Sequence, residues 1–577
     1  MSRRVNPLLR LDLQRWRMRL MLGVLFAGYA ALSARAMYLQ GWQDDFLQEK
    51  GEARINRLLP VPAYRGMITD RRGEPLAIST PVESVWLNPR EAEATPEQIA
   101  ALAGLLELET AALKKIFQDK GKSFVYLRRQ LPPDVAASVL ALQIKGLYSK
   151  PEYRRYYPSG EVVAHVLGLT SVEDKGIEGA ELVYEKWLAG EPGLKRVARD
   201  RRGNVVEVLE SLKLPRPGQD IALSINLQIQ YLAYRELAAA VQQSKARAGA
   251  VVVLDAKTGE ILALANLPSY NPNNRATMTT ERARNRAVTD AFEPGSTMKP
   301  LLVASALEAG VVRPETRIDT GAGYLTIGDK TIKDVHPKGN LTVAEAIQVS
   351  SNVATAKIAL DMRSEDYWRV LNRAGFGAPP YSGLPGETSG RLRPYDSWRP
   401  IEKATMAFGH GISVSVLQLA HAYTIFANDG WMPPLTITRR REAAVGQRIV
   451  SERTAREVRD MLELVTQDGG TAPQARVIGY RVAGKTGTAH KLIGGSYAPD
   501  KYLASFVGMA PASDPRLVIA VVVDEPSGGA YYGGQIAGPV FSRVMAGALR
   551  LMAVPPDAPM EAWTGPSVVA PVVAEGV

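Results

Sequence analysis

The segment FEPGSTMKP (292–300) places Ser296 three residues before Lys299. Pro294 and Gly295 predict a turn, after which Ser296 stands where a helix would begin. Lys299 then falls one turn later on the same helical face, so its amine can approach the Ser296 hydroxyl. A serine hydroxyl is a poor nucleophile until a neighbour takes its proton. Lysine can do so only as the neutral amine, a form that burial and a second nearby cation both favour. Backbone N–H groups at the helix start would help an oxyanion form at the same place. The pair therefore points to acyl transfer through a covalent serine intermediate.

Taken alone, the pair also fits an exposed helix with a serine cap. Ser296 is, however, the only serine in the chain with lysine three residues on. Two further pieces follow it in order. Ser350-Ser351-Asn352 comes after AEAIQV, a predicted helix end, and Lys485-Thr486-Gly487-Thr488 lies in RVAGKTGTAH, where flanking glycines let a strand backbone approach a ligand closely. Each has a plain alternative, a cap or turn for the first and a hairpin for the second. The ordered set SxxK, SxN, KTG is far more specific than any member.

The elements that must position these residues are legible around them. With 577 residues the chain exceeds what one core usually supports, so at least two soluble domains are expected. Hydrophobic content of 46% and charged content of 22% belong to an ordinary globular protein. There is no cysteine, which excludes disulfides, thiol catalysis and thiolate metal sites. The net charge of +11 suits nucleic acid, an anionic membrane surface, an acidic polymer or simply a basic protein, and no nucleic-acid motif accompanies it. The five histidines (His165, His336, His410, His421, His490) show no metal-ligand spacing, and the SxxK reading leaves none of them a catalytic role. His490 and Tyr502 lie beyond the Lys-Thr-Gly strand as candidates to line the cleft, and Tyr531-Tyr532-Gly533-Gly534 reads as a rigid turn.

From Leu20 to Ala34 the chain is free of charge, and AMYLQ extends the apolar run beyond Arg35. Six arginines and one acid, Asp12, precede it, and Asp44, Asp45 and Glu49 follow. This predicts an anchor over 20–40, a cytoplasmic basic tail over 1–19 and the remainder outside. A signal peptide cleaved near Ala34-Arg35-Ala36 is the competing reading, and either one exports the body of the protein. Residues 41–224 mix short strands and helices, including a turn at Arg71-Arg72-Gly73 and a helix over 97–117, and PRPGQD (215–220) marks a domain boundary. The second domain, 225–552, opens with an amphipathic helix presenting Leu227, Tyr231, Tyr234 and Leu237 on one side. Then come a hairpin over 248–266, many helices, a buried strand over 516–526 and a helix that starts at Pro539. This is an α+β arrangement of helices on a mostly antiparallel sheet. The Pro-, Ala- and Val-rich stretch 553–577 reads as a disordered tail.

The resemblance to a known family reaches beyond the three motifs. RGMITDRRG (65–73), RRYYPSGEVVAHVLG (154–168), IEGAE (177–181), NRAVTD (285–290), FGHGISVSVLQLA (408–420) and GGQIAGPVF (533–541) all resemble class B penicillin-binding proteins, from the anchor to about residue 552. FEPGST and FGHGISVS resemble the division-specific branch more than the elongation-specific one. The resemblance implies a single transmembrane helix, an elongated mixed α/β pedestal or dimerisation-type domain, and a transpeptidase domain whose antiparallel sheet is sandwiched by helices. It implies a peptidoglycan D,D-transpeptidase, without cofactor or metal, in the inner membrane at the division septum.

By the same resemblance Ser296 attacks the penultimate D-alanine of a pentapeptide stem and Lys299 is the general base. The backbone N–H groups of Ser296 and Thr488 form the oxyanion hole. Ser350, with Lys485 nearby, relays the proton to the departing D-alanine. Asn352 holds the donor amide and keeps Lys299 in place, and Lys485, Thr486 and Thr488, about Gly487, bind the terminal carboxylate. An amine of a second stem completes the crosslink, and β-lactams acylate the same serine. An FtsW-type glycan polymerase and other division proteins of the membrane are the implied partners, since no glycosyltransferase motif is present. An elongation-type transpeptidase and a D,D-carboxypeptidase share all three motifs. A β-lactamase would need a water-activating base, and no Glu-x-x-x-Asn lies between Asn352 and Lys485. A non-catalytic β-lactam sensor is the remaining alternative.

Overall fold

The structure is a computed structural model describing residues 14–39, 56–199, 205–440, 442 and 444–559. Helix α1 (Arg15–Met37) has 23 residues, and its side chains are exposed along nearly its whole length. At about 1.5 Å per residue it spans about 35 Å, enough to cross a bilayer core. It starts five residues before the expected anchor and carries Arg15, Arg17 and Arg19 in its first turns. The flanking acids and the first arginines lie outside the described residues.

The pedestal is built on a mixed sheet of β1 (Ile68–Thr69), β2 (Pro75–Leu87), β3 (Val125–Leu131), β4 (Leu147–Tyr156) and β5 (Ile221–Ala222), ordered β3-β2-β1-β5 with β4 also paired to the long β2. The expected turn at Arg71-Arg72-Gly73 joins β1 to β2. The single helix expected over 97–117 is two, Pro96–Leu106 and Thr110–Gln118, because Glu107 turns left-handed at φ 52° and ends the first. A separate sheet pairs Asn56–Val61, Gly193–Arg199 and Val205–Lys213.

Three of the segments that carry the family resemblance meet in one buried ionic cluster. Arg65 is fully buried and donates from Nε to Glu181 Oε2 (2.7 Å), from Nη2 to the Glu181 carbonyl (3.0 Å) and from Nη1 to the Asp174 carbonyl (3.1 Å). Its Nη1 also lies 2.7 Å from Glu185. Arg155 donates to the other Glu181 oxygen at 2.6 Å. Removing Glu181 takes away the carboxylate that the two buried guanidinium groups share, leaving Arg65 with Glu185 and Arg155 with the Ser79 hydroxyl. We expect Glu181→Ala to cost about 3–5 kcal/mol, read as a lowered denaturant midpoint at unchanged slope. A shift below about 1 kcal/mol contradicts that account.

Asp174, at the edge of the cluster, has a positive φ of 60°. Burial pushes its carboxyl up to about 6, with Glu181 and Glu185 adding to the push and Arg65 and Arg155 opposing it. The folded chain thus keeps a proton that the unfolded chain releases near about pH 3.9, and stability falls as pH rises between those values. Asparagine tolerates the left-handed backbone and does not titrate. Asp174→Asn is expected to melt above the parent at pH 7.5 and together with it below about pH 4.

The second domain is organised on a five-stranded, wholly antiparallel sheet ordered β7-β6-β11-β10-β9. Its strands are β6 (Ala248–Asp255), β7 (Ile261–Leu267), β9 (Ala483–Ile493), β10 (Ser496–Ala510) and β11 (Leu517–Asp524). The remaining strand used below, β8 (Lys330–Lys333), belongs to a small hairpin outside the sheet. Helices α2 (Leu227–Gln243) and α7 (Gly533–Leu551) pack on each other and on the sheet, and the apolar helix α6 (Val416–Ala427) packs against β6 and β11. The face α2 buries includes Leu237 as expected, with Leu227 and Tyr234 partly buried against the core, and only Tyr231 of the expected four departs. It uses Ile229, Ala233, Leu237 and Ala240, while Tyr231 is 54% exposed. Helix α7 begins six residues before Pro539, which lies within it.

The apolar core does not stop between the two regions. One cluster runs from Ile68, Leu76, Tyr157 and Leu167 of the pedestal into Ile225, Ile229 and β6. The distal pedestal keeps a second cluster around Val85, Leu102, Leu113 and Val139. The Asp70 carboxylate reinforces the junction by accepting from the Arg72 and Glu74 amides and from the Leu227 amide that opens α2. Residues 553–559 depart from the expected disorder. Asp557 accepts from the Arg481 amide at 2.7 Å and from the Ser513 hydroxyl at 2.7 Å. The rest of that tail lies outside the described residues.

Candidate active site

Ser296 lies in a 3₁₀ turn, Gly295–Met298, and α3 (Lys299–Glu308) begins at Lys299 itself, not at the serine as expected. Pro300 in the first turn of α3 gives up an N–H that has no helical partner in any case. Every residue of this stretch through Ala306 is buried, with Ser296 at 2% exposure and Lys299 at 0%.

Helices α4 (Val343–Gln348) and α5 (Asn352–Asp361) bring the second motif to Lys299. The chain reverses between them through Ser350, whose φ is 61°. That left-handed turn lets both polar atoms of Ser350 face the amine. Lys299 Nζ lies 2.5 Å from the Ser350 carbonyl, 3.1 Å from Ser350 Oγ and 2.7 Å from Asn352 Oδ1. The Asn352 amide is oriented by its Nδ2, which donates to the Lys333 carbonyl at 3.2 Å. Asp334 anchors the motif, accepting from Ser351 Oγ at 2.7 Å and from the Val353 amide at 3.0 Å. Nothing local to Asp334 in the sequence signals this.

The third motif runs along β9. Lys485 is fully buried, and its Nζ lies 3.1 Å from Thr486 Oγ1, which shares a 2.8 Å hydrogen bond with Thr471 Oγ1. Thr488 Oγ1 accepts from the Gly533 amide at 3.0 Å, fastening α7 to the strand. Gly487 is required by closeness. A Cβ there would lie 2.5 Å from Ser505 Oγ, 2.9 Å from the Pro294 carbonyl and 3.0 Å from Thr297 Cγ2. The turn that carries Ser296 therefore presses directly on the Lys-Thr-Gly strand. Gly409 closes the same turn from another side, since its Cβ would lie 2.2 Å from the Gly295 carbonyl. One short segment thus touches all parts: Lys299 meets Ser350 and Asn352, and the Ser296 turn meets Gly487.

The rim holds groups outside the three motifs. The Glu293 carboxylate accepts from the Gly411 amide (2.8 Å) and the Tyr497 hydroxyl (2.8 Å), and lies 3.3 Å from His410 Nδ1. Burial alone would raise this carboxyl, and these contacts more than offset it, leaving it below the usual range. His490 and Tyr502 pair across β9 and β10 with ring centroids 4.6 Å apart, and Tyr502 stacks on Tyr531 at 4.3 Å. Tyr531 and Tyr532 belong to this aromatic row, which is more than the turn expected of them. Among the described residues no cluster of His, Asp and Glu is placed to hold a metal ion.

A buried serine turn, a lysine held by a Ser-x-Asn turn and a Lys-Thr-Gly strand thus come together on an antiparallel sheet. Residues 249–546 match the penicillin binding protein transpeptidase domain, and 60–223 match the penicillin-binding protein dimerisation domain. The chain belongs to the class B penicillin-binding proteins. It is 45% identical over 545 residues to the probable peptidoglycan D,D-transpeptidase PenA of Neisseria meningitidis, covering 94% of this chain and 93% of the relative. It is 42% identical over 549 residues to the peptidoglycan D,D-transpeptidase FtsI of Escherichia coli, with the same coverage of 94% and 93%. The apo transpeptidase domain of Burkholderia pseudomallei penicillin-binding protein 3 superposes with a TM-score of 0.55 at 48% identity, over 58% of this chain and 98% of that one.

Proposed function

We propose that the chain is a serine-type peptidoglycan D,D-transpeptidase that crosslinks stem peptides during septal wall synthesis through an acyl-enzyme on Ser296, the residue β-lactams would also acylate. The observation that carries the reading is the hydrogen-bonding of Lys299. A neutral amine has two N–H bonds and one lone pair. The Ser350 carbonyl and Asn352 Oδ1 can take both hydrogens, which turns the lone pair toward hydroxyls. Lys299 then removes the Ser296 proton as Oγ attacks the penultimate D-alanine carbonyl, and the amides of Ser296 and Thr488 hold the oxyanion. Ser350 Oγ, 3.1 Å from Lys299 Nζ, passes the proton to the departing D-alanine with Lys485 nearby. Lys485, Thr486 and Thr488 bind the terminal carboxylate, as a cation and hydroxyls do. An acceptor amine then attacks the ester and restores the serine.

Helix α1 supports an inner-membrane anchor with the N-terminus in the cytoplasm and the body in the periplasm. The relatives named FtsI support a septal role, with an FtsW-type polymerase supplying glycan strands. The deciding measurement is the fate of the acyl-enzyme in the full-length chain. A penicillin adduct persisting for minutes to hours, and a stem donor yielding crosslinked product with an added amine, are expected. Rapid adduct turnover would mean a β-lactamase, and release of free tetrapeptide despite the amine would mean a carboxypeptidase.

A further inference from the structure

The pedestal sheet has two unlike faces. Val85, Leu87, Leu127 and Leu147 turn to one side, into the distal core with the helices Pro96–Leu106, Thr110–Gln118 and Pro133–Leu140. Residues one step along each strand point the other way, and there the chain places Trp86 on β2, Tyr126 on β3 and Tyr148 on β4. The register sets Trp86 opposite both tyrosines, so each of three strands adds a ring to a single row. Phe124, just before β3, joins it. Ring centroids lie 4.7 Å apart from Tyr148 to Trp86, from Trp86 to Phe124 and from Phe124 to Tyr126. The Arg129 guanidinium sits 4.9 Å from the Tyr126 centroid.

Phe124 is 46% exposed, and the other three rings are half-buried. Among the described residues, none of the four belongs to an apolar cluster. Exposed apolar residues usually stand singly, so four adjoining rings outside every core mark a place where something binds. The charges at the border are turned to one another. Glu152 accepts from Ser84, from the Tyr126 hydroxyl (3.4 Å) and from Arg129 Nε and Nη2 (3.3 and 3.2 Å), and Lys150 lies 3.7 Å away. Arg129 Nη1 also reaches Glu173, and the Tyr148 hydroxyl donates to Glu91, each at 3.1 Å. Two cations against three acids offer no free cation to an anionic ligand. The row suits an uncharged one, with C–H surface for the rings and donors for the carboxylates at the edge.

A strand of N-acetylated sugars has these properties. Its pyranose faces are C–H, its hydroxyls and acetamido N–H groups donate at the edges, and it carries no charge where each muramyl carboxyl is spent in the amide bond to a stem. We propose that the aromatic row of the distal pedestal is a sugar-binding site that takes the glycan strand whose stems are joined at Ser296. The identity of the polymer rests on the transpeptidase reading above, and the ring assignment does not.

The test uses the full-length chain in detergent, with Ser296 first acylated by penicillin so that the catalytic cleft is blocked. Binding of a neutral tetramer of N-acetylglucosamine is followed by ligand-observed NMR titration. A lost ring contact weakens binding about three- to tenfold, so Phe124→Ala/Tyr148→Ala is expected to bind about tenfold or more weakly than the parent. Tyr148→Phe keeps the ring and should stay within about threefold of the parent. Bound penicillin counts active molecules, and the melting curve of each variant shows whether the distal core survives. A parent that leaves the tetramer unbound, or a folded double variant that binds it as the parent does, overturns the proposal. So does a proline-rich peptide that takes the row in place of the sugar, which would assign it to a protein partner. A parent that binds the tetramer yet takes no penicillin would instead sink the transpeptidase reading and leave the sugar site standing.

Discussion

Ser296→Ala is expected to form no covalent adduct with fluorescent penicillin at any concentration or time, while melting within a few degrees of the parent. The substitution removes one oxygen from a buried turn whose backbone is held elsewhere. Thr297 Oγ1 donates to the Pro294 carbonyl at 2.8 Å, and the Tyr423 hydroxyl donates to the Thr297 carbonyl at 2.7 Å. Neither contact involves the lost hydroxyl. The stringency of the test comes from Ser350, a second serine hydroxyl 3.1 Å from the Lys299 amine. If the lysine activated that oxygen instead, labelling would survive in Ser296→Ala and peptide mapping would find it on Ser350. Such a result would reassign the nucleophile.

Removing the base should leave the nucleophile in place but nearly inert. Lys299→Met keeps much of the side-chain volume in a fully buried position and deletes the amine. General-base assistance contributes about 10²–10⁴-fold, and the second-order acylation rate by penicillin should fall by that amount. The Ser350 carbonyl and Asn352 Oδ1 lose a donor at the same time. An unsatisfied buried acceptor costs about 1–3 kcal/mol, so a lower melting temperature is expected alongside. Stability measured on the same protein separates the two effects. A variant that melts low yet acylates at the parental rate would take Lys299 out of the base role and leave it a structural brace.

The motifs were legible because each is local. Lys299 follows Ser296 by one turn, Ser351 caps α5, and Lys485–Thr488 occupy a single strand, so spacing alone places them on recognisable elements. What supports them was not legible, because it is tertiary. Asp334 reaches the Ser-x-Asn turn from the end of β8, and Thr471 reaches Thr486 from a loop. Glu293, His410 and Tyr497 converge from three segments. Arg65, Arg155 and Glu181 each lay within a stretch that carried the family resemblance, yet no periodicity announces that they meet. The fold class followed from apolar patterning, and the misreadings trace to backbone detail. Glu107 splits one expected helix by adopting a left-handed conformation. Docking of the Gly533 amide on Thr488 starts α7 well before Pro539. Tyr231 has helical spacing with Leu227 but faces solvent, since spacing identifies a stripe and not which stripe is covered.

The side chains of Ile68, Leu76, Tyr157 and Leu167 interlock with those of α2 and β6. A protein severed at residue 224 would bare a greasy wound on both fragments, with the start of α2 stripped of the carboxylate from Asp70. On heating, the lower pedestal and the catalytic half should surrender in one step, while the far tip around Leu102 and Leu113, which keeps a core of its own, can melt separately.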